Sequence, residues 1–395
     1  MSTSAATGIN GEITSRDLNQ PSAATPTADK RVRPTSSQWR QVVPTVLIYV
    51  MSITVALALC AVLVSTTGGS AMKVFTALLD GSLRSPGAWG ITVNTAAPLL
   101  AVAAGTIVAG KAGLSNIGQE GQVLLGAAAT AFIATRLVAP GPLVIVISIA
   151  AGVAVGGLWA LVASVMKFSR KVPEVISTLL LYFIAVQLTD FALTKRWLLA
   201  SLSTDSRVNN GQPIKRNARL PGFELFGNTI SWGAFVAIIV TALIGIALSR
   251  TTTGFRLRML GLNPRTARRA GVSAAKIGGA ALVVSGATAG LAGSLWLMGG
   301  VPGDRFTSGM SSNLGWQGLL VALLARQRAA LAIPMAFVFA ALRTGSQFLS
   351  ATGVDRRIAD VVQAMLVLAL LVAAAIEIVQ KQRAERAMAA KEVAA

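Results

Sequence analysis

The sequence predicts an all-α polytopic membrane protein with about ten transmembrane helices. Three observations predict it. Of the 395 residues, 53% are hydrophobic and only 13% charged, whereas soluble domains carry about 25% charged residues. The apolar residues fall in blocks of about 20, the length that crosses a bilayer. Histidine is absent and Cys60 is the single cysteine, which excludes His-ligated zinc, Ser-His-Asp triads and disulfide frameworks. A net charge of +20 can mark a nucleic-acid binder, but the long apolar blocks assign it to a membrane chain without nucleic acid.

Residues 1–40 are rich in Ser, Thr, Ala, Pro and charge without apolar period, the composition of a disordered tail. The first apolar stretch comes too late for a cleavable secretory signal. A transmembrane domain then occupies 41–380, with spans expected at roughly 44–65, 91–111, 114–135, 143–166, 173–194, 231–249, 277–299, 312–325, 329–350 and 359–379. The third and eighth are interrupted by glycines and polar residues, and the eighth is short. A charged tail, 381–395, follows. An even number of spans puts both termini on one side. With both termini cytoplasmic, most of the 35 Lys and Arg fall inside, as the positive-inside rule requires. The basic outer loop around 195–230 is the exception.

Two catalytic patterns fail. The segment from Gly105 to Ala112 nearly matches a phosphate-binding loop, but Ala112 replaces the Ser or Thr that holds magnesium. The segment also closes an apolar span, where Lys111 reads as an interfacial cation. Zinc-protease and Ser-His chemistry both need the missing histidines.

Two other patterns remain. In the loop after span six, Asn263 suits an N-cap, Pro264 the first helical position and Gly271 a site just past a helix end. A short helix is therefore expected over 264–270, with Arg265, Arg268 and Arg269 on one face. It fits either a protein-docking helix or a contact with anionic headgroups. The second pattern is a repeat: Asn116-Ile-Gly-Gln-Glu-Gly121 recurs as Asn313-Leu-Gly-Trp-Gln-Gly318. Each copy opens a span, and the offset of five spans inverts one copy relative to the other, so inverted five-span repeats are expected. Glu120 needs a partner or water at membrane depth, and Lys111 is a candidate; a structural and a pathway role are both open. Asn94, Gln187 and Asp190 are candidate cavity residues, and Trp296, Phe306 and Trp316 candidate stacking groups. Gly152-x-x-x-Gly156 and Gly286-x-x-x-Gly290 point to close helix packing.

The chain resembles a permease subunit of an ATP-binding-cassette importer, in the ribose and branched-chain amino acid permease group and closest to its nucleoside and simple-sugar branch. The likeness covers about residues 90–375 and rests on the run Lys111–Gln122, Pro173-Glu-Val-Ile-Ser-Thr178, Gly254-Phe-Arg-Leu-Arg through Gly261-Leu-Asn-Pro264 with Ala270-Gly-Val272, and Gly315–Leu324. It departs from that branch in lacking an Asn near Tyr182. The resemblance implies a subunit of the bacterial cell membrane that is not itself an enzyme. It also implies cytoplasmic ATPase partners that bind ATP and Mg, a second permease of a different kind, and an extracytoplasmic binding lipoprotein. Under it, Asn116, Gln119, Glu120, Asn313, Trp316 and Gln317 line or support the pathway. Gly261, Asn263, Arg265, Arg268 and Arg269 form the element that couples to the ATPase. The alternative is a proton- or sodium-coupled secondary transporter using Glu120 and Asp190.

Overall fold

The computed structural model describes residues 71–201, 210–300 and 303–351, with isolated positions between 51 and 65 and between 361 and 380. Most of the first expected span, part of the tenth, both tails and Cys60 lie outside the described residues. Among those described, the chain is mostly helical: α1 Ala71–Leu79, α2 Ala88–Lys111, α3 Gln119–Arg136, α4 Gly141–Arg170, α5 Glu174–Thr194, α6 Gly233–Arg250, α7 Thr252–Leu262, α8 Pro264–Arg269, α9 Ala274–Met298, α10 Leu314–Leu324 and α11 Ala329–Ala351. Among the described residues, six helices are long and apolar enough to cross a membrane: α2, α4, α5, α6, α9 and α11. α10, with 11 residues, is a short apolar helix.

Residue size decides which helices lie inside. α2 and α9 are built largely of Ala, Gly, Ser, Thr and Val and are the most buried spans. α4, α5 and α6 turn large apolar side chains outward, among them Val146, Phe183, Phe191, Ile239 and Leu243. Lipid is as apolar as leucine, so burying large side chains gives a membrane helix little advantage and close packing of small ones drives association. The two small-residue motifs pack on each other. A Cβ on Gly290 would overlap the Gly152 carbonyl, and one on Gly286 the Gly156 carbonyl. Gly126 of α3 abuts Gly290 as well. Beside this contact the Thr130 and Ser294 hydroxyls bond each other at 2.7 Å.

The expectation of an all-helical chain needs correction in two places. The loop between α5 and α6 carries β1 Asn210–Pro213, β2 Gly222–Leu225 and β3 Asn228–Ser231, and β4 Arg305–Thr307 precedes α10. β1 pairs antiparallel with β4, and β2 with β3. These strands are too short to show a period. The β2–β3 turn uses Phe226 and Gly227, both at positive φ, in place of the usual Asn-Gly. The helix α1, continued by a π-helical turn Asp80–Arg84, was also unexpected. Its short run packs on α11, where Gly345 meets Leu78.

The strands lie at one end of the bundle and α7 and α8 at the other, since α6 joins β3 to α7. Asn94 near the start of α2 ties the hairpin down, donating to the Thr229 carbonyl at 2.9 Å and accepting from the Ser231 amide at 2.8 Å. Asp190 near the end of α5 accepts from Ser308 at 2.6 Å, and Gln187 is exposed.

The glycine contact gives a prediction. Gly290→Val should lower the melting temperature in detergent, by a destabilisation of about 1–3 kcal/mol for overpacking. Gly157→Ala, whose added carbon would sit 3.4 Å from its nearest neighbour, should change it little. Equal melting of Gly290→Val and wild type contradicts the packing account.

Candidate functional site

The two Asn-x-Gly copies meet inside the bundle. After α2 ends at Lys111, the chain turns back through 112–118 and starts α3 deep beside α2, where the Gln119 side-chain amide donates to the Val102 carbonyl at 3.2 Å. From there α3 runs to the strand end, where Arg136 donates to the Arg196 carbonyl. The chain after β4 enters from that strand end and starts α10 against Glu120. α10 then runs the other way, and Gln327 just beyond it lies against Gly110. Two helix N-termini thus meet at depth and diverge.

Glycines make the approach possible. A Cβ on Gly315 would overlap the Glu120 backbone, one on Gly318 the Val102 side chain, one on Gly118 the Thr178 carbonyl, and one on Gly121 would crowd Tyr182 and Ala185. Each glycine of the repeat therefore sits where another segment comes too close for any larger residue.

Opposite charges hold the second copy. The Glu120 carboxylate is buried and accepts from the Ser311 hydroxyl, the Asn313 amide at 3.0 Å and the Gly315 amide at 2.6 Å. Arg343 of α11, also buried, donates to the Ser312 carbonyl at 2.7 Å, the Gln317 side chain at 3.0 Å and the Ser311 carbonyl at 3.4 Å. The carboxylate takes the donors of this segment and the guanidinium its acceptors. Between them Ser312 and Asn313 adopt φ of 44° and 69°, a left-handed conformation that costs a non-glycine residue about 1–3 kcal/mol and persists only where its surroundings fix it. Lys111, the partner considered for Glu120, lies elsewhere, beside Arg258 and Arg328. Arg343 was not singled out as a site residue. An arginine inside an apolar span is the signal that marks it.

The first copy is a closed amide network. Asn116 donates to Gln122 at 2.8 Å and to Ser285 at 3.0 Å, and its carbonyl accepts from the Gly118 amide. Gln119 accepts from Thr106 at 2.7 Å and donates to Ser285 at 3.1 Å. Asn116, Gln119 and Glu120 are all buried, so they support the site from behind. Asn313 is exposed, and Trp316 and Gln317 are half-buried. Trp316 meets Tyr182 of α5 edge to face, with ring centroids 6.0 Å apart. Trp296 and Phe306 are buried; the Trp296 indole donates to the Met310 carbonyl at 2.9 Å and its face carries the Arg343 guanidinium. Of the three aromatics considered for stacking, Trp316 alone offers a partly open face.

At the opposite end, α8 is punctuated at both ends. Asn263 caps it, accepting from the Arg265 and Thr266 amides at 3.0 and 3.1 Å. Gly271, at φ 78°, closes it, with the Val272 amide bonding the Ala267 carbonyl. Arg265, Arg268 and Arg269 are exposed, as are Phe255 and Leu262 on α7. Gly261 lies so close to the end of α2 that a Cβ there would overlap the Lys111 carbonyl. This contact joins the end of α7 to the end of α2.

Paired helix N-termini meeting inside an apolar bundle are an arrangement found in membrane transport proteins. The chain belongs to the family described as branched-chain amino acid transport system, permease component, whose model matches residues 88–373. Among its relatives, the guanosine ABC transporter permease protein NupP of Bacillus subtilis is 27% identical over 82% of this chain and 92% of its own length. The nucleoside ABC transporter permease protein NupB of Lactococcus lactis is 28% identical over 84% and 92%. The glucose ABC transporter permease protein TsgB13 of Haloferax volcanii is 28% identical over 70% and 74%.

The carboxylate clamp is open to test. Glu120→Leu strands the Asn313 and Gly315 amides and the Ser311 hydroxyl inside the bundle, so stability should fall by about 1–3 kcal/mol for each buried donor left unsatisfied. Glu120→Gln keeps an acceptor and should fall less. Thermal unfolding in detergent measures both; a stable Glu120→Leu protein would falsify the clamp.

Proposed function

We propose that this chain is a permease subunit of an ATP-binding-cassette importer for nucleosides or related simple sugars. Its ten spans are arranged as two inverted five-span halves, with both termini cytoplasmic. The observation that carries the reading is the meeting of the two Asn-x-Gly helix starts at depth with opposite directions, the arrangement that places a substrate site between repeats. The names of the relatives supply the substrate class. The accessible groups beside that meeting point, Asn313, Trp316, Gln317 and Tyr182, offer amides, a phenol and an indole, which suit an uncharged ligand with hydroxyls and a flat base.

In this reading a second, different permease completes the pathway and an extracytoplasmic lipoprotein delivers substrate. Partner ATPases that bind ATP and Mg grip the exposed Arg265, Arg268 and Arg269 face of α8. Gly261 carries their closure to α2, and the Asn116–Gln119 network and Glu120 keep the α3 and α10 starts together as the halves rock. ATP hydrolysis belongs to the partner.

One uptake experiment tests this. A strain lacking the gene, carrying wild-type or variant copies, is supplied with labelled guanosine and labelled ribose. Arg265, Arg268 and Arg269 changed together to Glu should abolish uptake while leaving the membrane level of the chain unchanged. Trp316→Ala should weaken guanosine uptake by about tenfold or more, since stacking on one aromatic contributes about 1–3 kcal/mol per base, and should affect ribose far less. Uptake that survives inactivation of the partner ATPase but collapses with a protonophore contradicts the importer and supports a secondary transporter.

A further inference from the structure

We propose that a basic cleft at the α7 and α8 end binds the headgroup phosphate of an anionic phospholipid. The cleft, about 340 Å³, lies where α2, α6 and α11 meet. Its charged lining is Lys111, the last residue of α2, Arg258 of α7, and Arg328, just before α11. No carboxylate lines it, and among the described residues none of these cations is in an ion pair. Ser249 and Gln327 add neutral hydrogen-bonding groups. Three cations converging without a counter-ion repel one another, and an anion is what relieves that repulsion.

The position selects the anion's source. The cleft is framed by the ends of three membrane-crossing helices: the last residue of α2, the last turn of α6 and the first turn of α11. Headgroups lie at that depth. Ala329 and Ala330, which open α11, form one wall, so the positive end of that helix adds to the cations. Ile107 and Leu248 add an apolar part to the lining. α6 and α11 continue from it with exposed Leu243, Ile246 and Leu331, a surface along which acyl chains can lie. The turn that presents Arg328 is fixed: Arg326 and Gln327 both hold left-handed φ, 52° and 53°, and the Gln327 amide bonds the Ala322 carbonyl. Through Lys111 the site touches the segment that Gly261 packs against, so a bound lipid braces the joint between α7 and α2.

The test uses the full-length chain, purified in detergent and stripped of lipid. Phosphatidylglycerol, phosphatidylcholine and inorganic phosphate are titrated in turn and the melting temperature is followed. Phosphatidylglycerol alone should raise it. Each cation replaced by Gln should weaken the apparent affinity about fivefold, and Lys111, Arg258 and Arg328 replaced together should abolish the shift. Arg265, Arg268 and Arg269 replaced by Gln should keep it, which separates this site from the α8 face. Should the triple variant misfold, Arg258→Gln, whose side chain is exposed, carries the same comparison. An equal rise with inorganic phosphate, an equal rise with phosphatidylcholine, or an unchanged phosphatidylglycerol response in Arg258→Gln would each overturn the proposal. So would loss of bound phosphatidylglycerol when the ATPase partner is added, which would assign the cleft to that interface.

Discussion

The Glu120 carboxylate accepts the amides of Asn313 and Gly315 from inside a membrane bundle, and the rest of the arrangement depends on it. Backbone that is not helical at membrane depth must find partners in the protein, because lipid offers none. The segment 311–313 is such backbone, and a helix start adds further amides without partners. One carboxylate meets several of these needs at once, and its negative charge lies at the positive end of α10. A lone buried anion would be costly. Arg343 binds the carbonyls of the same segment and balances it, and Trp296 covers the guanidinium. The irregular segment is thus gripped on both its polar edges, and that grip sets where α10 begins and where Trp316 stands.

Small residues make the grip geometrically possible. Gly315 lets the α10 start touch the α3 backbone, and Gly318 lets α10 lie on α2. The same logic joins α4 to α9 through Gly152, Gly156, Gly286 and Gly290. The inner helices are therefore smooth and weakly polar, with hydroxyls such as Thr106, Thr130, Ser285 and Ser294 bonding across them, while the bulky apolar residues face outward. At the centre two starting helices are pinned together, and α7, at the other end, touches the end of α2 through Gly261.

Features with a local cause could be read from the sequence. Asn263, Pro264 and Gly271 act on their own neighbours, so the start and stop of α8 follow from a few adjacent residues. The long apolar blocks of α2, α4, α5, α6, α9 and α11 were legible because hydrophobic length is a property of each segment alone. The repeated Asn-x-Gly signature pointed to the right pair of helices, but not to their contact. Contact depends on Gly315 meeting Glu120 across nearly two hundred residues of chain, which no local pattern encodes. Pairing of Glu120 with Lys111 was the natural expectation from neighbouring segments, yet the return of the chain through 112–118 carries Glu120 inward and away from it. Arg343 was visible as a charge in a span, but its partners are carbonyls, which leave no mark in a sequence. The strands around 210–231 were illegible because four-residue strands and a Phe-Gly turn carry too little pattern.

Hydrogen exchange over residues 308–318, measured by mass spectrometry on the wild type and on Glu120→Gln, tests the central claim most directly. Amides held by a buried carboxylate exchange slowly. In the wild type the peptide spanning Asn313 and Gly315 should be protected, and in Glu120→Gln its exchange should quicken while peptides from α4 and α9 stay unchanged. Equal protection of that peptide in both proteins would contradict the account, because the α10 start would then be held by something other than the Glu120 carboxylate.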